Sequence, residues 1–167
     1  MEDFKNEIRK DYSDEVEISN IQVDSLKKLE DPVTVKYDIK MNGFGNTDIV
    51  YFNPMLGEAI RNNPFTAAER YYPVEMPFTQ NNTYTLSMDI PKGYKVEELP
   101  KSARIKLNEN EGMFEYLIQA DETSVQMRCK LVINTTFFPN EDYQTLRDFF
   151  GFVVKKEAEQ IVFKKIK

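Results

Sequence analysis

The stretch SVQMRCKLVI, residues 124–133, decides the fold of this chain. Apolar side chains occupy the odd positions from Val125 to Ile133, and polar side chains occupy the even positions from Ser124 to Lys130. Successive side chains of a β-strand point to opposite faces, so this period of two predicts a strand with one buried face and one hydrated face. Such alternation is typical of antiparallel sheets, whereas buried parallel strands are apolar on both faces.

The same period of two recurs in residues 33–41, 84–90 and 114–118, and a further strand is predicted over residues 103–107. Short polar connections separate neighbouring segments, namely Asn110-Glu111-Gly112 and Asp121-Glu122. Connections of this length and composition join antiparallel neighbours. The pattern therefore predicts a meander of three or four consecutive strands over residues 83–136, and Pro91-Lys92-Gly93 ends the strand at residues 83–90.

Other signals extend the fold toward both ends of the chain. Phe4, Ile8 and Tyr12 recur at helical spacing and predict a short N-terminal helix. The strand over residues 15–24 changes phase in its middle, which indicates a β-bulge at Ser19-Asn20.

A helix is predicted over residues 140–157. It begins with acidic residues that complement the helix dipole, and Tyr143, Leu146 and Phe150 form its apolar stripe. Residues 161–163 are expected to return as a final edge strand. The predicted fold is mainly β: an antiparallel β-sandwich, with the C-terminal helix packed against it and the short N-terminal helix before it.

The length and composition suit one globular domain. The 167 residues are 41% hydrophobic and 30% charged, which is ordinary for a folded protein. We expect residues 1–167 to form a single β-rich domain, with the N-terminal helix and first strands in residues 1–49 and the main core in residues 50–167.

Charge and hydropathy limit the partners. The net charge is −6, and the basic residues are scattered apart from a cluster at the C-terminal end, so nucleic acid is not an expected partner. No apolar run is long enough to span a membrane. The first residues lack the pattern of a signal peptide. Two locations remain open: the cytoplasm, or the periplasm or extracellular space as part of a longer secreted precursor. The oligomeric state is not predicted.

The residue inventory argues against catalysis. The chain has no histidine, which removes imidazole bases and most zinc sites, and it has one cysteine, Cys129. Cys129 lies on the apolar side of its predicted strand, where burial makes a thiol inert. The chain shows no phosphate-binding glycine motif. No catalytic residue, metal site or cofactor is predicted.

Residues 53–79 are the one segment where recognition competes with packing. Prolines and aromatic residues alternate there, as expected of an ordered crossover rather than a flexible linker. Tyrosine and arginine are favoured at interfaces. Either these side chains contact a neighbouring domain, or they cap one end of the sandwich. The candidate interface residues are Arg61, Phe65, Arg70, Tyr71 and Tyr72.

Several strings occur in an order that resembles a known family. The strings are Asn63-Pro64-Phe65, Ala68-Glu69-Arg70, Tyr72-Pro73-Val74, Pro91-Lys92-Gly93-Tyr94, Glu98-Leu99-Pro100-Lys101, Lys130-Leu131-Val132-Ile133-Asn134, Phe137-Phe138-Pro139 and Glu159-Gln160-Ile161-Val162. Together they resemble the C-terminal domain of unknown function that follows the papain-like transglutaminase domain in Gram-negative bacterial multidomain proteins. The resemblance covers residues 50–167 well and residues 1–49 loosely.

The resemblance implies a tail module of a longer secreted or periplasmic protein. The catalytic cysteine and histidine of such proteins belong to the upstream domain, so no catalytic role comes to this chain. The implied function is a non-catalytic accessory domain that docks on the upstream transglutaminase-like domain or positions its substrate. The alternative is a stand-alone carbohydrate- or peptide-binding β-sandwich of the cell envelope. A third possibility, an enzyme using carboxylates alone, requires two acidic side chains in one pocket.

Overall fold

A computed structural model describes residue 12 and residues 16–28, 30–41 and 47–166. The chain divides into two compact units, Met1–Gly45 and Asn46–Lys167. The predicted N-terminal helix over residues 4–12 lies outside the described residues, apart from Tyr12. The expectation of a single domain stays a prediction.

The described residues of the first unit form one antiparallel pair of strands, β1 (Val16–Asp24) and β2 (Thr34–Met41). The pairing register shifts between Ser19 and Gln22, and Asn20 has a φ of 53°. An extra residue with positive φ is a common way to form a bulge, and asparagine tolerates that conformation. The bulge predicted at Ser19-Asn20 is therefore confirmed.

The second unit contains the remaining nine strands and the helix, and all of its sheets are antiparallel. The strands are β3 (Ile49–Phe52), β4 (Val74–Glu75), β5 (Gln80–Asp89), β6 (Tyr94–Glu98), β7 (Ala103–Leu107), β8 (Gly112–Ala120), β9 (Ser124–Ile133), β10 (Phe137–Phe138) and β11 (Ile161–Lys165). Helix α1 runs from Tyr143 to Glu157, directly after a 3-10 turn over Asn140–Asp142.

The largest sheet has four strands in the order β5-β9-β8-β7. The predicted meander is correct for β7, β8 and β9, which pair in sequence. It is wrong for β5, which pairs with β9 along ten residues, from Gln80 with Ile133 to Asp89 with Ser124. The intervening strand β6 belongs to the other sheet. As a result, β5 lies beside β9, the last strand of the meander, rather than beside β7, the first.

The second sheet has the order β3-β11-β6, and a short β4-β10 ladder stands beside the two sheets. The predicted edge strand at residues 161–163 is wrong in position, because β11 is the centre of its sheet. Its inward side chains Ile161 and Phe163 are fully buried, and Phe163 packs against Phe52 of β3 at 6.3 Å between ring centres. Burial on this scale explains why β11 is paired on both sides.

The core lies on the inner face of the four-stranded sheet, where Val125, Met127, Cys129, Leu131 and Ile133 of β9 are all buried. Helix α1 packs against this layer. Its buried residues follow the predicted stripe: Tyr143, Leu146, Phe149, Phe150 and Val153. The packing of the sheets is sandwich-like, so the predicted fold class is confirmed. Within the described residues, no helix is both long and apolar enough to cross a membrane.

Candidate interaction surface

The crossover between β3 and β4 contains the residues that the sequence singled out. Asn63 anchors its middle, because the Asn63 side chain donates a hydrogen bond to the carbonyl oxygen of Arg147 in α1 at 2.8 Å. The Asn63 side-chain oxygen also accepts from the backbone N–H of Phe65 at 2.9 Å. The crossover is therefore an ordered part of the unit, as predicted.

Phe65 is an anchor rather than a surface residue. It is half-buried, and its ring makes edge-to-face contacts with Tyr143 and Phe150 of α1, at 6.2 and 5.2 Å between ring centres. Such aromatic pairs add stability beyond the area they bury. The Tyr143 hydroxyl donates to the carbonyl oxygen of Ala67 at 2.9 Å, which holds the next turn of the crossover on the helix.

Arg70 orients the backbone just before β4. Its guanidinium lies 6.0 Å from the centre of the Tyr143 ring, and its Nε donates to the carbonyl oxygen of Tyr72 at 3.2 Å. The Tyr143 ring thus supports both Phe65 and Arg70, although Arg70 itself is exposed. Arg61 is also exposed and lies two residues before Asn63 in the crossover.

Tyr71 and Tyr72 are the most exposed aromatic side chains of the crossover, at 81% and 79% of their full area. Phe78, just after β4, is 65% exposed, and Phe137 of β10 is 51% exposed. Phe137 pairs with Glu75 in the β4-β10 ladder, and Tyr71, Tyr72 and Phe78 lie within a few residues of the same ladder along the chain. We call Tyr71, Tyr72, Phe78 and Phe137 the aromatic surface. Large exposed aromatic side chains in one region are a mark of interaction sites.

The sequence missed Phe137 as a member of the aromatic surface. The sequence does contain a signal, because Phe137 and Phe138 are adjacent and precede a proline. Adjacent residues of a strand face opposite sides, so one of the two rings must face away from the core. Phe138 is fully buried and Phe137 is exposed. Pairing of β10 with β4 could not be read from the local pattern, so no local signal linked Phe137 to the crossover.

A separate cavity of about 170 Å³ lies between the start of the crossover and β5, β9 and α1. Cys129, Glu58 and Glu157 line it. Glu157 is 3% exposed, and its Oε2 accepts from the backbone N–H of Ile60 at 2.7 Å. The Cys129 thiol donates to Glu157 Oε1 at 3.6 Å. Burial raises the pKa of Glu157, while the Ile60 N–H opposes that shift.

The cavity does not favour thiol chemistry. Cys129 is 4% exposed, as predicted from its place on the apolar face of β9. Burial, followed by the nearby Glu157 carboxylate, raises the pKa of the thiol far above its ordinary value. A nucleophilic cysteine needs a lowered pKa, which comes from cationic neighbours or a helix N-terminus. In the described ranges, no group of Cys, Asp and Glu side chains is arranged to hold a metal ion.

Comparison with known families identifies residues 48–163 as a domain of unknown function with a solved structure, DUF3858. The match spans more than half of the chain. The chain belongs to the DUF3858 family. Among curated proteins, none matches the chain.

The DUF3858 domain also has a structural neighbour. It is similar to the crystal structure of a protein described as a "putative protease" from Parabacteroides distasonis ATCC 8503, with a TM-score of 0.55 and 14% sequence identity. The similarity covers 70% of this chain but only 23% of the other, so this chain spans about a quarter of the length of that protein. At this level of identity, the similarity establishes a shared fold and nothing about shared activity.

Proposed function

We propose that this DUF3858 domain is a non-catalytic accessory module of a longer transglutaminase-like envelope protein. It docks on the upstream catalytic domain, or positions the substrate of that domain, through the aromatic surface. The observation that supports this role is the exposure of Tyr71 and Tyr72 on a crossover that Phe65, Arg70 and Asn63 hold against α1. Exposed rings on a fixed backbone lose little conformational entropy when they bind.

The proportions of the structural neighbour support a modular role. The Parabacteroides distasonis protein is much longer than this chain, and the shared fold accounts for 23% of it. A domain of this fold therefore occurs as one part of a larger polypeptide. The proposal places the present domain in such a polypeptide, located in the periplasm or outside the cell.

The cavity supports a non-catalytic role. Glu58 and Glu157 both line it, which is the arrangement that a carboxylate-only enzyme needs. However, its volume of about 170 Å³ is below the roughly 300–1,000 Å³ typical of ligand pockets. Both oxygens of Glu157 already have hydrogen-bond partners from the protein, Ile60 and Cys129. Glu157 therefore fastens the crossover to α1 and β9 rather than serving as a proton donor to a substrate.

The first test is the mass of the native polypeptide, detected in cell fractions with an antibody against this domain. The proposal expects a chain much longer than 19.6 kDa in the envelope fraction, with a catalytic cysteine and histidine upstream. A free polypeptide near 19.6 kDa would contradict the docking role. Screening of glycans and peptides would then address the alternative, a stand-alone binding module.

The second test measures binding between this domain and the separately produced upstream catalytic domain by calorimetry. Replacing Tyr71 and Tyr72 together by serine should weaken binding by at least about thirtyfold, because buried aromatic side chains dominate interface energy. Tyr51→Ser is the matched control, since Tyr51 is 65% exposed but lies on β3, in a different sheet from the β4-β10 ladder. Equal affinity of the double variant and the control would contradict the proposal.

A further inference from the structure

The outward face of the four-stranded sheet carries a concentration of positive charge that is unusual for this acidic chain. Arg104 and Lys106 of β7 and Arg128 and Lys130 of β9 all point away from the core, as the strand registers require. We call these four residues the basic face. At the outward positions of the four strands, all of which the structure describes, the acidic residues are Glu115 of β8 and Asp89 of β5, and Asp89 pairs with Ser124 at the start of β9.

Glu115 fixes the two arginines of the basic face. It lies directly opposite Arg104 in the pairing of β7 with β8, and the two side chains form a close ion pair. Arg128 approaches from the other side, with Nη1 at 3.4 Å from Glu115 Oε1. The Glu115 side chain is only 4% exposed, whereas the Arg104 and Arg128 side chains are 64% and 49% exposed. One buried carboxylate therefore holds two guanidinium groups that still face solvent.

This arrangement leaves positive charge and free donors on the surface. One carboxylate neutralises only part of the charge of two guanidinium groups, and Lys106 and Lys130 add further positive charge within the same strands. Each guanidinium has five N–H donors, more than the contacts with Glu115 use. Because Glu115 holds them in place, the arginines lose little side-chain entropy when they bind an external anion.

A shallow concavity of about 390 Å³ adjoins Arg128, just before β7 begins, where Ser102 lies beside β8. Its lining combines the side chain of Leu117, which is 40% exposed, with the amides of Gln119 and Gln126. The Ser102 hydroxyl accepts from the backbone N–H of Ile118 at 3.0 Å and so replaces β7 along this part of β8. The site thus offers apolar, amide and cationic groups side by side.

We propose that the basic face and this concavity bind an acidic polypeptide segment. Arg104 and Arg128 donate to its carboxylates, and Leu117 contacts its apolar side chains. A polypeptide fits better than a nucleic acid, because the net charge of −6 opposes a phosphate backbone, with one negative charge on every nucleotide, more strongly than a segment whose carboxylates are separated by apolar residues. The exposed Leu117 and the paired Gln119 and Gln126 also match a peptide, which brings apolar side chains and backbone amides along with its carboxylates.

The test uses fluorescence anisotropy with a fluorescein-labelled peptide of alternating Glu and Ala, compared with the same peptide carrying Gln for Glu. The full chain should bind the Glu peptide saturably and roughly tenfold more tightly than the Gln peptide, because charged hydrogen bonds are the stronger ones. Affinity should fall as sodium chloride is added, since the groups are exposed. A labelled single-stranded DNA oligonucleotide should bind more weakly than the Glu peptide.

Two variants separate binding from folding. The triple variant Arg104→Gln, Glu115→Gln, Arg128→Gln removes the carboxylate together with its partners, so it leaves no buried unpaired charge, and it should lose about tenfold in affinity. The variant Lys106→Gln, Lys130→Gln leaves the Glu115 contacts intact and should weaken binding about threefold. Lys92→Gln, in the turn before β6, should bind like the unaltered chain. Wild-type affinity in both multiple variants, or tighter binding of DNA than of the Glu peptide, overturns the proposal.

Discussion

Glu157 at the end of α1 and Cys129 in the middle of β9 are in direct contact, with the Cys129 sulfur 3.6 Å from Glu157 Oε1. The backbone carbonyl of Glu157 also accepts from the Asn53 side chain at 3.0 Å, and its Oε2 accepts from Ile60. One buried acid therefore joins the helix, the central sheet and the crossover. The neighbouring Lys156 does not neutralise it, because its ammonium group binds Glu159 at 2.7 Å.

Replacing Glu157 by glutamine should stabilise the protein at neutral pH. Burial raises the pKa of Glu157 above its usual 4.5, so the folded protein holds this proton more tightly than the unfolded chain does. The contribution of this group to stability is then full below about pH 4.5 and declines as the pH rises through the folded pKa. Glutamine keeps an acceptor for Ile60 without the charge.

Thermal unfolding measured across this pH range checks the prediction. The Glu157→Gln protein should have a higher melting temperature than the unaltered protein at neutral pH and a flatter pH profile. Glu58→Gln is the matched control, because Glu58 lines the same cavity but is exposed, and its profile should follow that of the unaltered protein. A lower melting temperature for Glu157→Gln at neutral pH would contradict the argument.

Cys129 should resist thiol reagents in the folded protein. It is 4% exposed, and burial together with Glu157 raises the pKa of its thiol, so the reactive thiolate is scarce at neutral pH. Ellman's reagent should report almost no free thiol in buffer and one per chain in guanidinium chloride. Rapid labelling of the folded protein would reopen the question of a nucleophilic cysteine.

Two glycines should respond to alanine in opposite directions. At Gly112, at the start of β8, an added Cβ would lie 2.6 Å from the carbonyl oxygen of Val132, which is closer than atoms can pack. Gly112→Ala should therefore lose about 1–3 kcal/mol of unfolding free energy. At Gly151, inside α1, a Cβ would meet only the Asn63 amide at an ordinary 3.5 Å.

Gly151→Ala should raise the unfolding free energy by up to about 1 kcal/mol, because glycine weakens a helix interior. Denaturant unfolding of both variants measures the two effects in one experiment. The Asn63 side chain is held by its hydrogen bond to the carbonyl oxygen of Arg147. Destabilisation by Gly151→Ala would show that Asn63 cannot accommodate the added methyl group, despite the ordinary contact distance.

Local patterns predicted the strands well, and the reason is visible in β9. Its buried positions are the odd ones that the alternation predicts. The bulge at Ser19-Asn20 was predicted because a change of phase is also a local signal. Pairing between distant strands has no such signal. The place of β5 beside β9, and of β11 between β3 and β6, depends on which surfaces bury one another.

The candidate interface stays a prediction, and the structure separates its residues by exposure. Tyr71 and Tyr72 are exposed as an interface requires, but Phe65 belongs to the packing against α1. Sequence alone could not separate them, because the same aromatic residue types serve in cores and at interfaces. The pairing of Glu115 with Arg104 and Arg128 was also missed, since it depends on the register of three strands.

The contributions of Phe65, Tyr71 and Tyr72 to the unfolding free energy should differ, and this difference can be measured. Phe65→Ala should cost about 2 kcal/mol of unfolding free energy, somewhat less than a fully buried phenylalanine, because its contacts with Tyr143 and Phe150 are lost. Tyr71→Ser and Tyr72→Ser should each change it by no more than about 0.5 kcal/mol, as exposed side chains do. Denaturant unfolding checks all three. A large loss in either tyrosine variant would show that the aromatic surface is needed for folding.

The turn between β8 and β9 should give the protein a distinct acid sensitivity. The Asp121 carboxylate accepts hydrogen bonds from the backbone N–H groups of Thr123 and Ser124 and from both hydroxyls. These bonds lower the pKa of Asp121 from 3.8 to about 2. A lowered pKa stabilises the fold above pH 3.8, and that contribution is lost as the pH falls through about 2.

Asp121→Ala should therefore lower the melting temperature at neutral pH, and the difference from the unaltered protein should shrink as the pH falls from 3.8 to about 2. Glu122→Ala is the control, because Glu122 is the exposed neighbour in the same turn and no hydrogen bond holds its carboxylate there in the structure as described. Its melting temperature should match the unaltered protein at each pH. A constant difference for Asp121→Ala across this range would mean that the turn depends on the shape of the side chain rather than on its charge.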